Sequence, residues 1–155
     1  MKEAVCVLTN GKVKGYIEFK EVEDRVKITI KLENIEPGLH GFHIHRTGDL
    51  RPGCKTLCDH YNPFKTNHGG KRCKVRHVGD LGNIKADKNG KVNTIMYDSI
   101  IKLSGKYSII GRSVVIHEKK DDLGRGNNKE SLITGNAGKR IGCGVIGLTG
   151  NCWVI

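Results

Sequence analysis

Apolar and polar residues alternate along the early part of the chain. From Arg25 to Leu32 every second residue is Val, Ile or Leu, and the residues between them are Lys or Thr. The stretch Val13–Phe19 follows a similar alternation. A period of two indicates strands with one buried and one wet face, as in an antiparallel sheet.

Further strands are predicted at Lys91–Tyr97, Ile100–Leu103, Arg112–His117 and Cys143–Leu148. Asn10-Gly11 and Asn89-Gly90 are expected to form hairpin-type turns, because Asn and Gly tolerate a positive φ. No stretch has a convincing helical period of 3.6 residues.

Two long segments do not follow the strand pattern. They run from Thr47 to Asn83 and from Glu118 to Arg140, and both are rich in Gly, Asn, Asp and Lys. Loops of this length are uncommon in a compact domain unless they are functional or anchored. The sequence therefore predicts a β-sandwich or barrel with two large ordered loops.

Composition narrows the function classes. The 155-residue chain has 27 Lys and Arg against 16 Asp and Glu, a net charge of +11 that favours anionic partners, whether nucleic acid, an acidic surface or a small anion. Aromatic residues make up only 5%, which argues against a base-stacking surface. No apolar run is long enough to span a membrane, and no secretory leader is visible at Met1–Cys6. We therefore expect a cytoplasmic protein without a membrane or nucleic-acid partner.

Six of the seven histidines lie in or beside the two long segments. These six are His43, His45, His60, His68, His77 and His117. His43 and His45 are two apart, so an extended strand points both to the same side. Each histidine alone could be an ordinary surface or core residue, but the set favours a metal cluster, because imidazole suits zinc and copper. With Asp80 they could fill two adjacent sites of four ligands if one imidazole were shared.

Several motifs resemble those of the copper/zinc superoxide dismutases, in order and over residues 4–150. The motifs are Gly41-Phe42-His43-Ile44-His45, Asn67-His68-Gly69-Gly70, Arg76-His77-Val78-Gly79-Asp80-Leu81-Gly82-Asn83, Ile110-Gly111-Arg112-Ser113-Val114-Val115-Ile116-His117-Glu118, and Gly135-Asn136-Ala137-Gly138-Lys139-Arg140-Ile141-Gly142-Cys143-Gly144-Val145-Ile146-Gly147. The resemblance implies an eight-stranded antiparallel Greek-key β-barrel or sandwich, immunoglobulin-like, as a single domain over residues 1–150. It also implies a homodimer and a copper chaperone as a further partner.

The resemblance implies an enzyme that converts superoxide to dioxygen and hydrogen peroxide, an antioxidant function with one copper and one zinc per subunit. Copper would be bound by His43, His45, His60 and His117. Zinc would be bound by His60, His68, His77 and Asp80. His60 is then the shared ring, and Asp121 matches an acid that links His43 to His68.

Two further roles follow from the same resemblance, and the net positive charge suggests a third. Arg140 would receive the superoxide anion beside copper, and Cys54 and Cys143 would form an intrasubunit disulfide. Lys119 and Lys129 are candidates for steering the anion, although each could equally be an ordinary solvated loop charge. Steering predicts a rate that falls as salt rises, because salt screens the attraction.

Some residues depart from the family pattern. Cys58 and Cys73 lie in the first long segment, where cysteines are unusual, and they could form an extra bridge, hinder zinc loading or remain two unpaired thiols. Residues 151–155 form a short apolar extension that could extend a dimer contact.

Two other functions compete with the enzyme. A copper-delivery or metal-storage domain on the same fold typically lacks copper ligands and adds a CxC or CxxC module, whereas this chain keeps all four histidines and has neither module. A basic nucleic-acid-binding module would fit the net charge, but aromatics are few, no recognised motif is present and the charge is dispersed.

Overall fold

The computed structural model describes residues 1–150 and Cys152, and within them the regular structure is almost entirely β-strand. The strands are β1 (Glu3–Val7), β2 (Asn10–Gly11), β3 (Lys14–Val22), β4 (Arg25–Glu33), β5 (Gly38–His45), β6 (Asp80–Ala86), β7 (Lys91–Asp98), β8 (Ser113–His117) and β9 (Arg140–Leu148). The one helical element in these residues is a 3₁₀ turn at Glu130–Leu132.

The strands follow the order β6-β5-β8-β9-β1-β3-β4-β7, and all named pairs are antiparallel. The short β2 pairs with β9. The end strands β6 and β7 lie side by side but form no ladder among the described residues, so the barrel is nearly closed. The chain passes from β4 at one side to β5 at the other, which is a Greek-key connection. The predicted all-β barrel is confirmed.

The alternating pattern determines which strand residues point into the core. On β4, Val26, Ile28, Ile30 and Leu32 are buried, while the polar residues between them are exposed or half-exposed. Side chains from every long strand join one continuous apolar cluster inside the barrel. Burial of such branched apolar side chains is the main stabilising contribution, roughly 1.5–3 kcal/mol each.

Two local predictions were wrong. The segment Ile100–Leu103 is not a strand, because a turn after β7 carries Ile101 and Leu103 into the core with only an isolated bridge at Lys102. Asn10-Gly11 is not a two-residue turn, because it forms β2 within the longer β1–β3 connection. The turn at Asn89-Gly90 is confirmed, and Gly90 has a φ of +74°.

The two predicted loops are present. The first loop comprises residues 46–79 and the second loop residues 118–139, so Asp80 begins β6 and Arg140 begins β9 instead of lying in the loops. Most of the predicted 151–155 extension lies outside the described residues, and Cys152 is exposed. None of the described residues forms a helix that could cross a membrane.

Candidate metal centre

The six predicted histidines come together at one edge of the barrel. His43 and His45 project from β5 and His117 from the end of β8, and the antiparallel pairing of these strands brings the three rings together. The first loop adds His60, His68 and His77, and Asp80 follows at the start of β6. All seven side chains are buried.

One group of four imidazoles consists of His43, His45, His60 and His117, whose potential ligand atoms lie within 4.8 Å of one another. Nε2 of His45 and Nε2 of His117 are 3.4 Å apart. The other nitrogen of each ring, Nδ1, donates to a backbone carbonyl: His45 to Cys58 at 2.8 Å and His117 to Gly138 at 3.0 Å. Such bonds fix the tautomer and direct Nε2 into the group.

A second group surrounds the Asp80 carboxylate. His43, His60, His68 and Asp80 offer ligand atoms within 4.8 Å of one another. His77 completes the surroundings, because its Nδ1 is 3.2 Å from both His60 Nδ1 and Asp80 Oδ1. His68 Nδ1 is 2.9 Å from Asp80 Oδ2. The predicted zinc ligands are therefore together in space, with His43 close beside them.

His60 lies between the two groups. Its Nδ1 faces Asp80 Oδ1 at 2.9 Å and His77, whereas its Nε2 is buried without a hydrogen-bond partner. It belongs to both groups of four. A ring that belongs to both groups, with one nitrogen facing Asp80 and the other without a partner, is what a shared ligand requires.

The unpartnered buried atoms test whether this centre fits metal ions. Among the described residues, the buried side-chain nitrogens with no polar partner are His43 Nδ1 and His60 Nε2, whereas His68 Nδ1 faces Asp80 Oδ2 at 2.9 Å. Leaving a buried polar atom unpaired costs about 1–3 kcal/mol, so two in one cluster call for a ligand. Imidazole nitrogens with one carboxylate suit zinc and copper. The residues present therefore fit two metal ions.

For four of the candidate ligands electrostatics favours the form that binds metal, whereas for His68 the hydrogen bonds to Asp121 and Asp80 outweigh burial and raise the pKa to about 9. Burial lowers the pKa of His43 and of His45 well below the usual value, and the neighbouring imidazoles lower it further. Burial also lowers the pKa of His117 to about 4. Burial alone would raise the pKa of Asp80, but hydrogen bonds from His60, His68 and His77 outweigh it and hold the pKa well below its usual value. Three imidazoles are thus neutral and the carboxylate is ionised at neutral pH.

Asp121 in the second loop joins the two groups from behind. Its Oδ2 accepts from His43 Nε2 at 2.7 Å and its Oδ1 accepts from His68 Nε2 at 2.8 Å. Asn83 on β6 holds it in place, because Asn83 Nδ2 donates to the Asp121 carbonyl at 2.9 Å and Asn83 Oδ1 accepts from the Asp121 amide at 2.8 Å. A Cβ at Gly135 would lie 2.0 Å from Asp121 Oδ1, so this contact requires glycine.

Arg140 lies at the mouth of the centre. It lines a cavity of about 450 Å³ together with His45, His60 and His117. Its guanidinium donates to the Cys54 carbonyl at 2.8 Å and to the Cys58 carbonyl at 2.5 Å. The Cys58 carbonyl therefore accepts from both Arg140 and His45, which fixes the guanidinium relative to the imidazoles.

The predicted disulfide is present. Cys54 in the first loop and Cys143 on β9 form a bond with S–S 2.04 Å across 89 residues. Because Cys54 also holds Arg140 through its carbonyl, this bond ties the first loop and the guanidinium to the barrel. Cys58 and Cys73 are both free, so the structure contains no bridge between them.

The two steering candidates differ in position. Lys119 lines the cavity with Arg140, whereas Lys129 is exposed beside the 3₁₀ turn and does not line it. Sequence reasoning did not identify Asn83, Cys58 and Gly138 as supports of the centre. Cys58 and Gly138 act through backbone carbonyls, which leave no signature in the residue type, and Asn83 meets Asp121 only through the fold.

Known proteins are similar to this chain in sequence over most of its length. The family model described as copper/zinc superoxide dismutase matches residues 13–146. The chain belongs to the copper/zinc superoxide dismutase family. A superoxide dismutase [Cu-Zn] of Paramecium bursaria Chlorella virus 1 is 58% identical over 145 residues, covering 93% of this chain and 77% of the relative. One of Saccharomyces cerevisiae is 48% identical over 153 residues, covering 96% and 99%. An extracellular superoxide dismutase [Cu-Zn] of Drosophila melanogaster is 50% identical over 141 residues, covering 90% and 78%.

Family membership and the two histidine-rich groups agree on function. The protein is an oxidoreductase that disproportionates superoxide to dioxygen and hydrogen peroxide, and its cofactors are copper and zinc. The predictions of family, fold, reaction and cofactors are therefore confirmed.

Proposed function

We propose that copper is bound by His43, His45, His60 and His117, and zinc by His60, His68, His77 and Asp80. Copper when bound supplies the one-electron chemistry that oxidises one superoxide and reduces the next, while zinc is redox-inert. The observation that carries this assignment is His60, which belongs to both groups, with Nδ1 facing Asp80 and Nε2 buried without a partner.

Each of the chain's own residues then has a defined task. Arg140 presents a fixed guanidinium to an anion that enters the cavity, because two backbone carbonyls hold it. His60 Nε2 has no protein partner, so whenever it does not bind copper this atom can hold a proton and donate it to the peroxide product. Asp121 orients His43 and His68 and increases their basicity by accepting their Nε2 protons.

Spectroscopy combined with metal analysis tests the shared ring. Protein with Cu(II) in the copper site and Co(II) in place of zinc should show magnetic coupling between the ions. His60→Ala should abolish that coupling and lower the rate more than about 100-fold, beyond the 10–100-fold typical of a residue that only supports a ligand. His40→Gln is the control, because His40 lies outside both groups and should leave the coupling intact. Two uncoupled ions in the wild type would refute the assignment.

We also propose a homodimer formed through β1 and β9. Val7 and Val145 are exposed by 54% and 37% on these neighbouring strands, and Leu148 at the end of β9 is exposed by 64%. Exposed apolar side chains on adjacent strands favour an interaction surface. Light scattering should give twice the chain mass for the wild type and the single-chain mass for Val145→Lys. A monomeric wild type would exclude the dimer.

A copper chaperone as partner and a cytoplasmic location stay predictions, as do the 1–150 domain boundaries. Relatives named as extracellular are among the similar proteins. Cell fractionation and copper loading in cells with and without a chaperone test the first two.

A further inference from the structure

A second cavity lies where the barrel fails to close. This groove, of about 430 Å³, is formed between the end strands β6 and β7. Residues 70–73 of the first loop and Leu123 and Arg125 of the second loop complete its walls. It shares no lining residue with the cavity that holds Arg140. We call it the seam groove.

The seam groove has an aliphatic lining. Leu81 on β6 is buried, Met96 on β7 is half-buried against the core, and Leu123 is half-buried opposite them. None of its lining residues is aromatic, so the groove offers no stacking surface for a nucleic-acid base. Leucine and methionine side chains suit an alkyl chain, because they are flexible and make only dispersion contacts.

The rim of the seam groove is cationic. Lys71, Arg72 and Arg125 line it, and no acidic residue does. Arg72 and Arg125 are exposed, and within residues 1–150 and Cys152 neither side chain has a hydrogen bond or an ion pair. Guanidinium groups bind carboxylate and phosphate with two parallel hydrogen bonds. The rim therefore presents two uncommitted anion-binding groups.

The positive charge continues into the adjoining surface. A smaller groove of about 360 Å³ shares Lys71 and Arg72 with the seam groove and adds Arg25. Its one acidic residue, Asp98, is buried and paired with Arg76 through bonds of 2.7 and 3.2 Å. Among the described residues, Asp98 is thus the one acidic residue that lines either groove, although Arg25 also lines a separate cavity with Glu21, Glu23 and Asp24.

We propose that the seam groove binds an amphipathic anion, an alkyl chain with a carboxylate or phosphate head group. The chain lies on Leu81, Met96 and Leu123, and the head group is bound by Arg72 and Arg125. A volume of about 430 Å³ falls within the range of small-molecule sites, roughly 300–1,000 Å³. The charge complementarity and the aliphatic floor favour this occupant over a peptide or a nucleic acid.

Occupancy of the seam groove is coupled to the metal centre. Two of its lining residues hold Asp121: Asn83 through two hydrogen bonds, and Leu123 through its amide, which donates to Asp121 Oδ1 at 2.8 Å. Asp121 in turn accepts from His43 and His68. A bound ligand stabilises this arrangement and slows metal loss. The coupling rests on the proposed ligand assignment, whereas binding itself does not.

The two methionines of the chain provide a direct test of binding. Met96 lines the groove, and Met1 is 87% exposed and serves as an internal control. Protein with ¹³C-methyl methionine, zinc and reduced copper is titrated by NMR with decanoate or decyl phosphate below their micelle concentrations. We expect a saturable shift of the Met96 signal only. Comparison of the two ligands identifies the preferred head group.

Ligand controls separate the parts of the proposal. Decanol lacks the charge, and acetate and inorganic phosphate lack the chain, so each should bind much more weakly than decanoate. Equal affinity for decanol, parallel shifts of Met1 and Met96, or no Met96 shift would overturn the proposal. Tighter binding of an acidic Leu-containing peptide or a single-stranded oligonucleotide would overturn the small-ligand assignment.

Variants test the rim. Arg72→Gln with Arg125→Gln should weaken decanoate binding at least about tenfold, since two charge-assisted bonds are lost. Lys74→Gln is the matched control, because Lys74 is exposed in the same loop but does not line the groove. An equal loss in the control would refute specific recognition.

Metal release tests the coupling separately. Saturating decanoate should slow zinc release to a chelator several-fold in the wild type and not in the double variant. An unchanged release rate despite a Met96 shift would overturn the coupling and leave the metal assignment untouched, because that assignment is tested by the copper–cobalt coupling.

Discussion

The barrel and the two loops are stabilised by different physical means. The inward residues of the strands are almost all Ile, Val, Leu or Phe in one continuous cluster. The loops instead bury polar groups, chiefly imidazoles and the carboxylate of Asp121, together with a smaller apolar cluster around Leu57. Apolar burial needs no cofactor, whereas an imidazole cluster with unpartnered nitrogens is incomplete without metal. The barrel should therefore remain folded when the metal centre loses its structure.

Metal removal should have the largest effect, and it should be confined to the loops. Structural zinc sites contribute on the order of 10 kcal/mol of apparent binding free energy. In chelator-treated protein, amides of residues 60–79 and 118–138 should exchange hydrogen much faster, while β3 and β4 change little. Hydrogen exchange with mass spectrometry measures both regions at once. Equal protection of the loops in both states would refute the contrast.

A truncation in the barrel core should destabilise the protein regardless of whether metal is bound. Ile28→Ala removes a fully buried side chain of β4 and should lower the free energy of unfolding by about 2–5 kcal/mol. The loss should be the same with and without metals, because Ile28 contacts the core cluster and not the centre. Denaturant unfolding of both forms gives the values.

The control for this truncation is its neighbour on the other face. Thr29→Ala alters a half-exposed residue and should cost less than about 1 kcal/mol. If Ile28→Ala were costly only in the metal-loaded protein, the barrel would not be an independent scaffold.

The difference between the barrel and the two loops also explains which features could be predicted from the sequence. Strands such as Arg25–Glu33 were predictable because a period of two directly reflects burial on one face. The segment Ile100–Leu103 was misassigned because Ile101 and Leu103 are buried from a turn, held by hydrogen bonds from the amides of Ile100 and Ile101 to the Asp98 carboxylate. A short apolar run alone does not distinguish these cases.

Only part of the candidate site could be predicted from the sequence. The clustering of histidines indicated a metal centre, and the resemblance supplied the proposed division into two sites. The supports were not predictable, because the carbonyls of Cys58 and Gly138 act through the backbone. Cys58 also adopts a φ of +65°, which is uncommon for a residue other than glycine.

Removal of the carboxylate that orients the imidazoles should have an effect of intermediate size on metal binding and activity. Asp121→Asn keeps the shape but places an amide where two imidazoles donate, so zinc affinity or activity should fall about 10–100-fold. Zinc titration with a competing chelator measures the affinity. Asp122→Asn is the matched control, because the Asp122 side chain accepts bonds only from second-loop groups such as Ser131 and Asn136. An equal effect of the two substitutions would show that loop stability, and not ligand orientation, is what matters.

The smallest effect concerns charge on the second loop, where function depends on position and not on packing. Lys119 lines the cavity with Arg140, and Lys129 does not, although both are exposed lysines of the same loop. At low salt, Lys119→Gln should lower the rate of superoxide consumption about twofold and flatten its salt dependence, because a single charge supplies only part of the steering field. Lys129→Gln should change the rate less.

Raising the ionic strength to 0.1 M shortens the screening length to about 10 Å, so the two variants should then converge on the wild type. Pulse radiolysis across a salt series measures these rates. A salt-independent wild type, or a larger effect at Lys129, would show that the loop cations do not steer the substrate.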